Sequence, residues 1–210
     1  MKKSIITVAP TTEPVTLSEC KAQLRIADED TTYDNEINRM RATARIWVEK
    51  RYGISIITQT RQVRMDRFPS CEKLQKMRLT YGPVQSVTTV AYTDVSGNAQ
   101  TFTDFASAGL TTPTLGVTEI LRPIIYPNDS WPDTKDIPEA VRVTYVAGFG
   151  GSGQYVPQLI KDAILMRLTQ LFENRIEEVS GPGQQVAKYE RSIDDLMASF
   201  EVFEHISADD

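Results

Sequence analysis

Apolar residues in this chain recur every three to four positions towards both ends and every second position between, and this order constrains the fold most. Two amphipathic helical stretches precede a β-rich middle and two follow it. End segments of that kind can bury their apolar stripes only by packing together across the insert. The expected class is therefore α+β, a helical bundle formed by N- and C-terminal helices with a small antiparallel β domain inserted. The expected boundaries are an arm at 1–15, a bundle from 16–53 and 154–206, an insert at 54–153 and a tail at 207–210.

Local signals place the elements. Thr16 followed by Glu19 spells a capping box, with Val15 and Cys20 set as a hydrophobic staple. A second helix is expected from Tyr33 to Tyr52, stopped by Gly53 in a left-handed cap. Its apolar stripe is Tyr33, Ile37, Met40, Ala44, Trp47 and Val48, which leaves Ile46 on the opposite side beside Arg39, Ala42 and Lys50. An apolar residue in a basic helix face is the best single candidate for a contact with another chain.

From Ile54 onward the period approaches two. Strands are expected at Gln59–Met65, Lys76–Leu79, Val84–Tyr92, Ala99–Phe102, Val117–Leu121 and Ala140–Ala147, with Asp94–Asn98 closing a hairpin. The four prolines between Pro123 and Pro138 predict irregular chain there. Pro157 suits the first turn of a third helix reaching Arg175, apolar on nearly every side. Ser180–Gln185 reads as a flexible break, and Tyr189–Phe203 as the fourth helix.

Charge is unevenly spread: Arg39–Arg67 carries +6 and Glu173–Asp210 carries −7, in a chain of net −5. Unlike patches could be solvated separately or meet between neighbouring copies, as a head-to-tail ring requires. No apolar run approaches the roughly 18–20 residues of a membrane span. The start, Met1-Lys2-Lys3 and a short apolar run ended by Pro10 and Glu13, reads as an extended arm instead of a signal peptide. Cys20 and Cys71 read as two free thiols.

Chemistry-bearing motifs are thin. Gly148-Phe149-Gly150-Gly151-Ser152-Gly153 matches G-x-G-x-x-G between a strand and a helix, the setting in which glycines admit a pyrophosphate. No parallel strand ending in an acidic residue follows, and Pro157 starts the helix late, so the loop reads as a flexible β-to-α linker. His205 has no second histidine beside it, so no metal site, catalytic set or cofactor is expected. Asp194-Asp195 and Glu177-Glu178 are sequence neighbours that a helix would point apart. Arg39, Arg41, Arg45, Lys50 and Arg51 could meet phosphates, yet they wrap round their helix. A nucleotide-binding enzyme using Gly148–Gly153 and a DNA-binding module remain the alternatives.

Four stretches carry a family likeness: Pro14–Glu19, Tyr52–Thr60, Val141–Gly150, and Val156–Leu165 running on to Phe172–Arg175. In this order they resemble the head–tail connector family of tailed bacteriophages, the adaptor or head-completion proteins under the portal. The resemblance spans about Pro14 to Phe203, and Thr111–Thr114 and Ser180–Gln185 fall outside its pattern. It implies a non-enzymatic virion protein of the neck, assembled in the host cytoplasm as a ring of twelve copies. The implied partners are the portal protein, a downstream neck or tail-completion protein, and double-stranded DNA passing non-specifically through the channel, with no membrane. Expected docking segments are the Met1–Glu13 arm, the Ser180–Tyr189 loop with Gln184 and Gln185, and the tail from Phe203. For the lateral contact, Arg39, Ala42, Ile46 and Lys50 are expected to face acidic Glu173, Glu177 or Glu178.

Overall fold

The computed structural model describes residues 3–69, 75–114, 120–174, 184–198 and 202–204. Helix α1 (Leu17–Leu24) begins with the expected capping box. The Thr16 hydroxyl accepts from the Glu19 amide at 3.1 Å, and the Glu19 carboxylate accepts from the Thr16 amide at 2.5 Å. Two amides that the helix itself cannot serve are thereby satisfied. Thr16→Ala is expected to cost about 1 kcal/mol, read as a lower urea midpoint with an unchanged slope.

Helix α2 (Asp34–Tyr52) ends at Gly53, whose φ of 64° is the left-handed cap expected from the sequence. Helix α3 (Gln158–Asn174) packs against α1, α2 and α4 (Gln184–Ala198), which explains why it is apolar on most sides. Ile37, Ala44 and Val48 of α2 meet Ile160, Ile164 and Leu168 of α3 and Ile193 of α4 in one core, all fully buried. The chain leaving α2 joins that core through Ile54, Ile56 and Ile57, and the chain entering α3 through Phe149 and Val156.

The strands form a second apolar cluster. β1 (Lys3–Val8), β2 (Gln59–Met65), β4 (Val84–Thr93), β5 (Ala99–Phe102) and β9 (Val141–Ala147) make an antiparallel sheet in the order β1-β2-β9-β4-β5. A smaller sheet, β3-β8-β6, comprises β3 (Met77–Arg78), β6 (Phe105–Ala108) and β8 (Ile124–Pro127). Alternation along β2 and β9 turns Val63, Met65, Val141, Val143 and Tyr145 inward, where Met77 and Ile125 of the smaller sheet join them. Phe68 stacks on Trp131 at 4.5 Å between ring centres, closing one end of this core.

Several expectations are corrected. The extended arm is part of the sheet over 3–8, where it forms an edge strand with Ser4 opposite Val63. Part of the proline-rich segment forms β8, because Ile124 and Ile125 are buried and Pro127 sits at the strand end. Gln184 and Gln185 are not in a loop: α4 starts there, five residues before the expected Tyr189. Phe203 does not end the fourth helix. It lies in a short strand, β10 (Val202–Glu204), parallel to β7 (Ile120–Arg122). Cys71, Val117–Glu119, the break at 180–183 and the tail after Glu204 lie outside the described residues.

Candidate assembly interface

Helix α2 presents the most distinctive surface. Asp34 and Glu36 stand in its first turn and Lys50 and Arg51 in its last, matching the helix dipole at both ends. With Ile37, Met40, Ala44 and Val48 turned into the core, Arg39, Ala42, Thr43, Ile46 and Lys50 fall in an arc of about 100° on the other side. Ile46 is 42% exposed there, and Arg39 has a side chain 75% exposed whose nearest acid, Glu36, is 3.7 Å away. A shallow groove of about 140 Å³, lined by Arg39, Met40, Thr43 and Leu171, runs beside the stripe.

Most of the basic segment proves to be internal wiring instead of a free face. Arg41 donates to the Val15 carbonyl at 3.0 Å, and Arg51 to the Asp194 carboxylate at 2.9 Å. Arg64 donates to Glu139 at 2.8 Å. Arg61 is buried against the Ser55 hydroxyl, with its guanidinium 3.7 Å from the centre of the Tyr81 ring. Arg39, Lys50 and the Asp194-paired Arg51 are exposed on α2, as is Arg67 beyond it, and the +6 read from the sequence shrinks as its other members pair internally.

Arg45 is the centre of a buried network that composition could not reveal. Its guanidinium donates to Glu13 at 2.8 Å and to Glu49 at 3.2 Å. Glu49, 2% exposed, also accepts from the Ile56 amide at 3.0 Å and the Gln59 side chain at 2.9 Å. The N-terminal segment, α2 and the first residue of β2 are thus tied together through the Arg45–Glu49 pair. Burial raises the pKa of Glu49, with the Ile56 amide and the cations Arg45 and Arg61 opposing it. A second tie joins α4 to α2: the Tyr52 hydroxyl donates to Asp194 at 2.6 Å. Hydrogen bonds from Arg51 and Tyr52 hold the Asp194 carboxyl below its usual range. Asp195, its sequence neighbour, is exposed, so the two carboxylates do not converge.

The G-x-G-x-x-G loop is packed, not flexible. Gly148 adopts φ 132°, and a Cβ there would lie 2.6 Å from the backbone of Ile57 and Thr58. A Cβ on Gly150 would collide with the Tyr155 side chain, and one on Gly153 with the Pro14 carbonyl. The close approach these glycines permit is to the protein's own chain. The Thr58 amide bonds the Gly150 carbonyl at 2.9 Å, and the Phe149 amide the Ile56 carbonyl at 3.0 Å. Helices and sheet meet at this seam.

Of the other candidate residues, Glu173 is exposed at the C-terminal end of α3, Ala42 is half-buried on α2, and Glu177 and Glu178 lie outside the described residues, as does His205. Among the described residues no group of three or more His, Cys, Asp or Glu is placed to hold a metal ion, and no helix is long and apolar enough to cross a membrane. Cys20 is buried and free, and burial pushes its thiol up to about 11. A cavity of about 380 Å³ beside the Phe68–Trp131 stack is an open polar cleft.

No protein-family model matches this sequence, and no curated protein matches it. The fold does have matches among solved structures. A chain in "Virion of native gene transfer agent (GTA) particle" superposes with a TM-score of 0.71 at 15% identity, over 98% of both chains. A chain in "Neck of empty GTA particle computed with C6 symmetry" gives 0.70 at 16% identity, over 100% of this chain and 98% of that one. One in "Neck of native GTA particle computed with C12 symmetry" gives 0.64 at 15% identity with the same coverage. The fold is one that occurs in virion necks, in agreement with the head–tail connector resemblance.

Proposed function

We propose that the chain is a subunit of the head–tail connector in a virion neck, forming a ring under the portal that extends the DNA channel. The observation that carries this reading is the fold match over nearly the whole of both chains, with no large insertion on either side. Neck particles of C6 and C12 symmetry place copies of their chains around an axis, which favours a ring of twelve copies here. The portal protein and a downstream neck or tail-completion protein are the expected partners above and below the ring. Double-stranded DNA passes through without sequence readout, and the net charge of −5 disfavours retention of phosphates.

The reading also assigns parts of the chain. A helical bundle from the end segments supplies the ring wall, and the β-rich segment between α2 and α3 is its inserted unit. The outward side of α2, with Arg39, Ala42, Ile46 and Lys50, supplies the lateral contact. No catalytic residue is required, because the protein acts by geometry and by burying surface against its neighbours.

Imaging the purified protein alone and mixed with portal tests the proposal directly. Ringlike density seated on the portal is expected; a protein that never associates with portal or with itself overturns it. Ile46→Asp is expected to weaken assembly by about tenfold or more, since a carboxylate would be desolvated in the contact. Helical circular dichroism should be unchanged, because Ile46 faces away from the core. Unaltered assembly of this variant would mark that side of α2 as ordinary solvated surface.

A further inference from the structure

We propose that the α2 stripe receives the acidic elbow between α1 and α2, residues Asp28–Asp30, of a neighbouring copy, in a head-to-tail contact. The inference rests on the connector reading and names the complementary half of its lateral surface. Charge on both sides leads to it. Among the described residues, Arg39 and Lys50 remain exposed in a segment whose other arginines are mostly taken by internal partners, and they flank Ile46 on one side of α2. The elbow supplies three consecutive exposed acids, and Glu29 pairs with no described residue.

The elbow is also held in shape. The Ser18 hydroxyl donates to Asp28 at 2.9 Å, Lys21 donates to the Asp28 carbonyl at 2.9 Å, and the Thr32 amide donates to Asp30 at 3.0 Å. A loop pinned at both shoulders loses little freedom on docking, so its charge is presented at low entropic cost.

Placement keeps Lys50 out of reach of the elbow of its own chain. From Asp34 to Lys50 the helix runs about 24 Å, so the elbow at its N-terminal end cannot reach its own Lys50. An acidic elbow before α2 and Lys50 in its last turn, meeting between copies, form a heterologous pair, which generates a ring when the rotation closes. The acid expected from the sequence, Glu173, fits less well. It lies within a helical turn of Leu171, which lines the same groove as Arg39, so it belongs to the basic stripe's own neighbourhood.

Charge exchange on the full-length chain tests the contact. Sedimentation velocity with and without portal would compare the unsubstituted chain with Lys50→Glu, Glu29→Lys and the double variant. Each single change places like charges face to face, and is expected to raise the half-assembly concentration several-fold. The double variant restores an unlike pair at every subunit boundary and should return to within about twofold of the unsubstituted chain, an effect that added salt diminishes. Singles without effect, or a double variant as impaired as the worse single, would overturn the pairing while leaving portal binding of the unsubstituted chain, and the connector reading, intact. Absence of any assembly by the unsubstituted chain would overturn both.

Discussion

Replacing Arg45 with Ala is expected to destabilise the fold by about 3–5 kcal/mol, since breaking a buried ion pair strands a charge without its partner. Arg45 is 8% exposed, Glu49 is 2% exposed, and Glu13 would lose its partner as well. For a chain of this size such a loss corresponds to a drop of roughly 10 °C or more in Tm. The pH dependence has a definite sign. Burial raises the pKa of Glu49 above its ordinary value, so protonation favours the folded state. Its contribution is therefore fully present below the unfolded carboxyl range and declines as pH rises through the folded value. Without Arg45 that value climbs further, so the variant's deficit should be smaller near pH 5 than near pH 8 in parallel urea titrations. A deficit unchanged by pH would mean that Glu49 remains neutral or solvated after the substitution.

Gly148→Ala is expected to cost about 2–5 kcal/mol, while Gly151→Ala stays within about 0.5 kcal/mol. At Gly148 a side chain meets both an adverse φ of 132° and backbone atoms at 2.6 Å that cannot swing away, whereas a Cβ on Gly151 has nothing within 4 Å. Thermal denaturation of the two variants checks the contrast. The same experiment with NAD or ATP separates this reading from a dinucleotide loop. A ligand bound by the folded state would raise Tm by mass action, so a flat response is expected. A ligand-dependent rise that Gly151→Ala abolished would restore the nucleotide reading.

The contrast between those glycines shows how far residue patterns carry. The motif text was visible, and so was the missing acidic strand end that argues against a nucleotide. What could not be seen is that Pro14, Ile57 and Tyr155, distant in sequence from one another, occupy the space each glycine leaves. The same holds for the arginines. A run of +6 looks like a surface because sequence gives charge without partners, and Glu13, Asp194 and Glu139 lie 32, 143 and 75 positions from the residues they neutralise. Ile46 was legible because a helix face depends only on local periodicity. The acidic elbow does not announce itself as a surface in the sequence, because a short run of acids suits a solvated connection between helices equally well.

By itself the sequence determined whatever depends on neighbours within about a turn. The Thr16–Glu19 capping box, the Gly53 stop, the α2 stripe and the hairpin at Asp94–Asn98 are set by local hydrogen bonds, backbone preference and side-chain period. Only the tertiary structure decided that residues 3–8 join the sheet edge, that Ile124–Pro127 pair in a second sheet, and that α4 starts at Gln184. Those outcomes rest on contacts between remote segments, whose burial and hydrogen bonding outweigh weak local propensity.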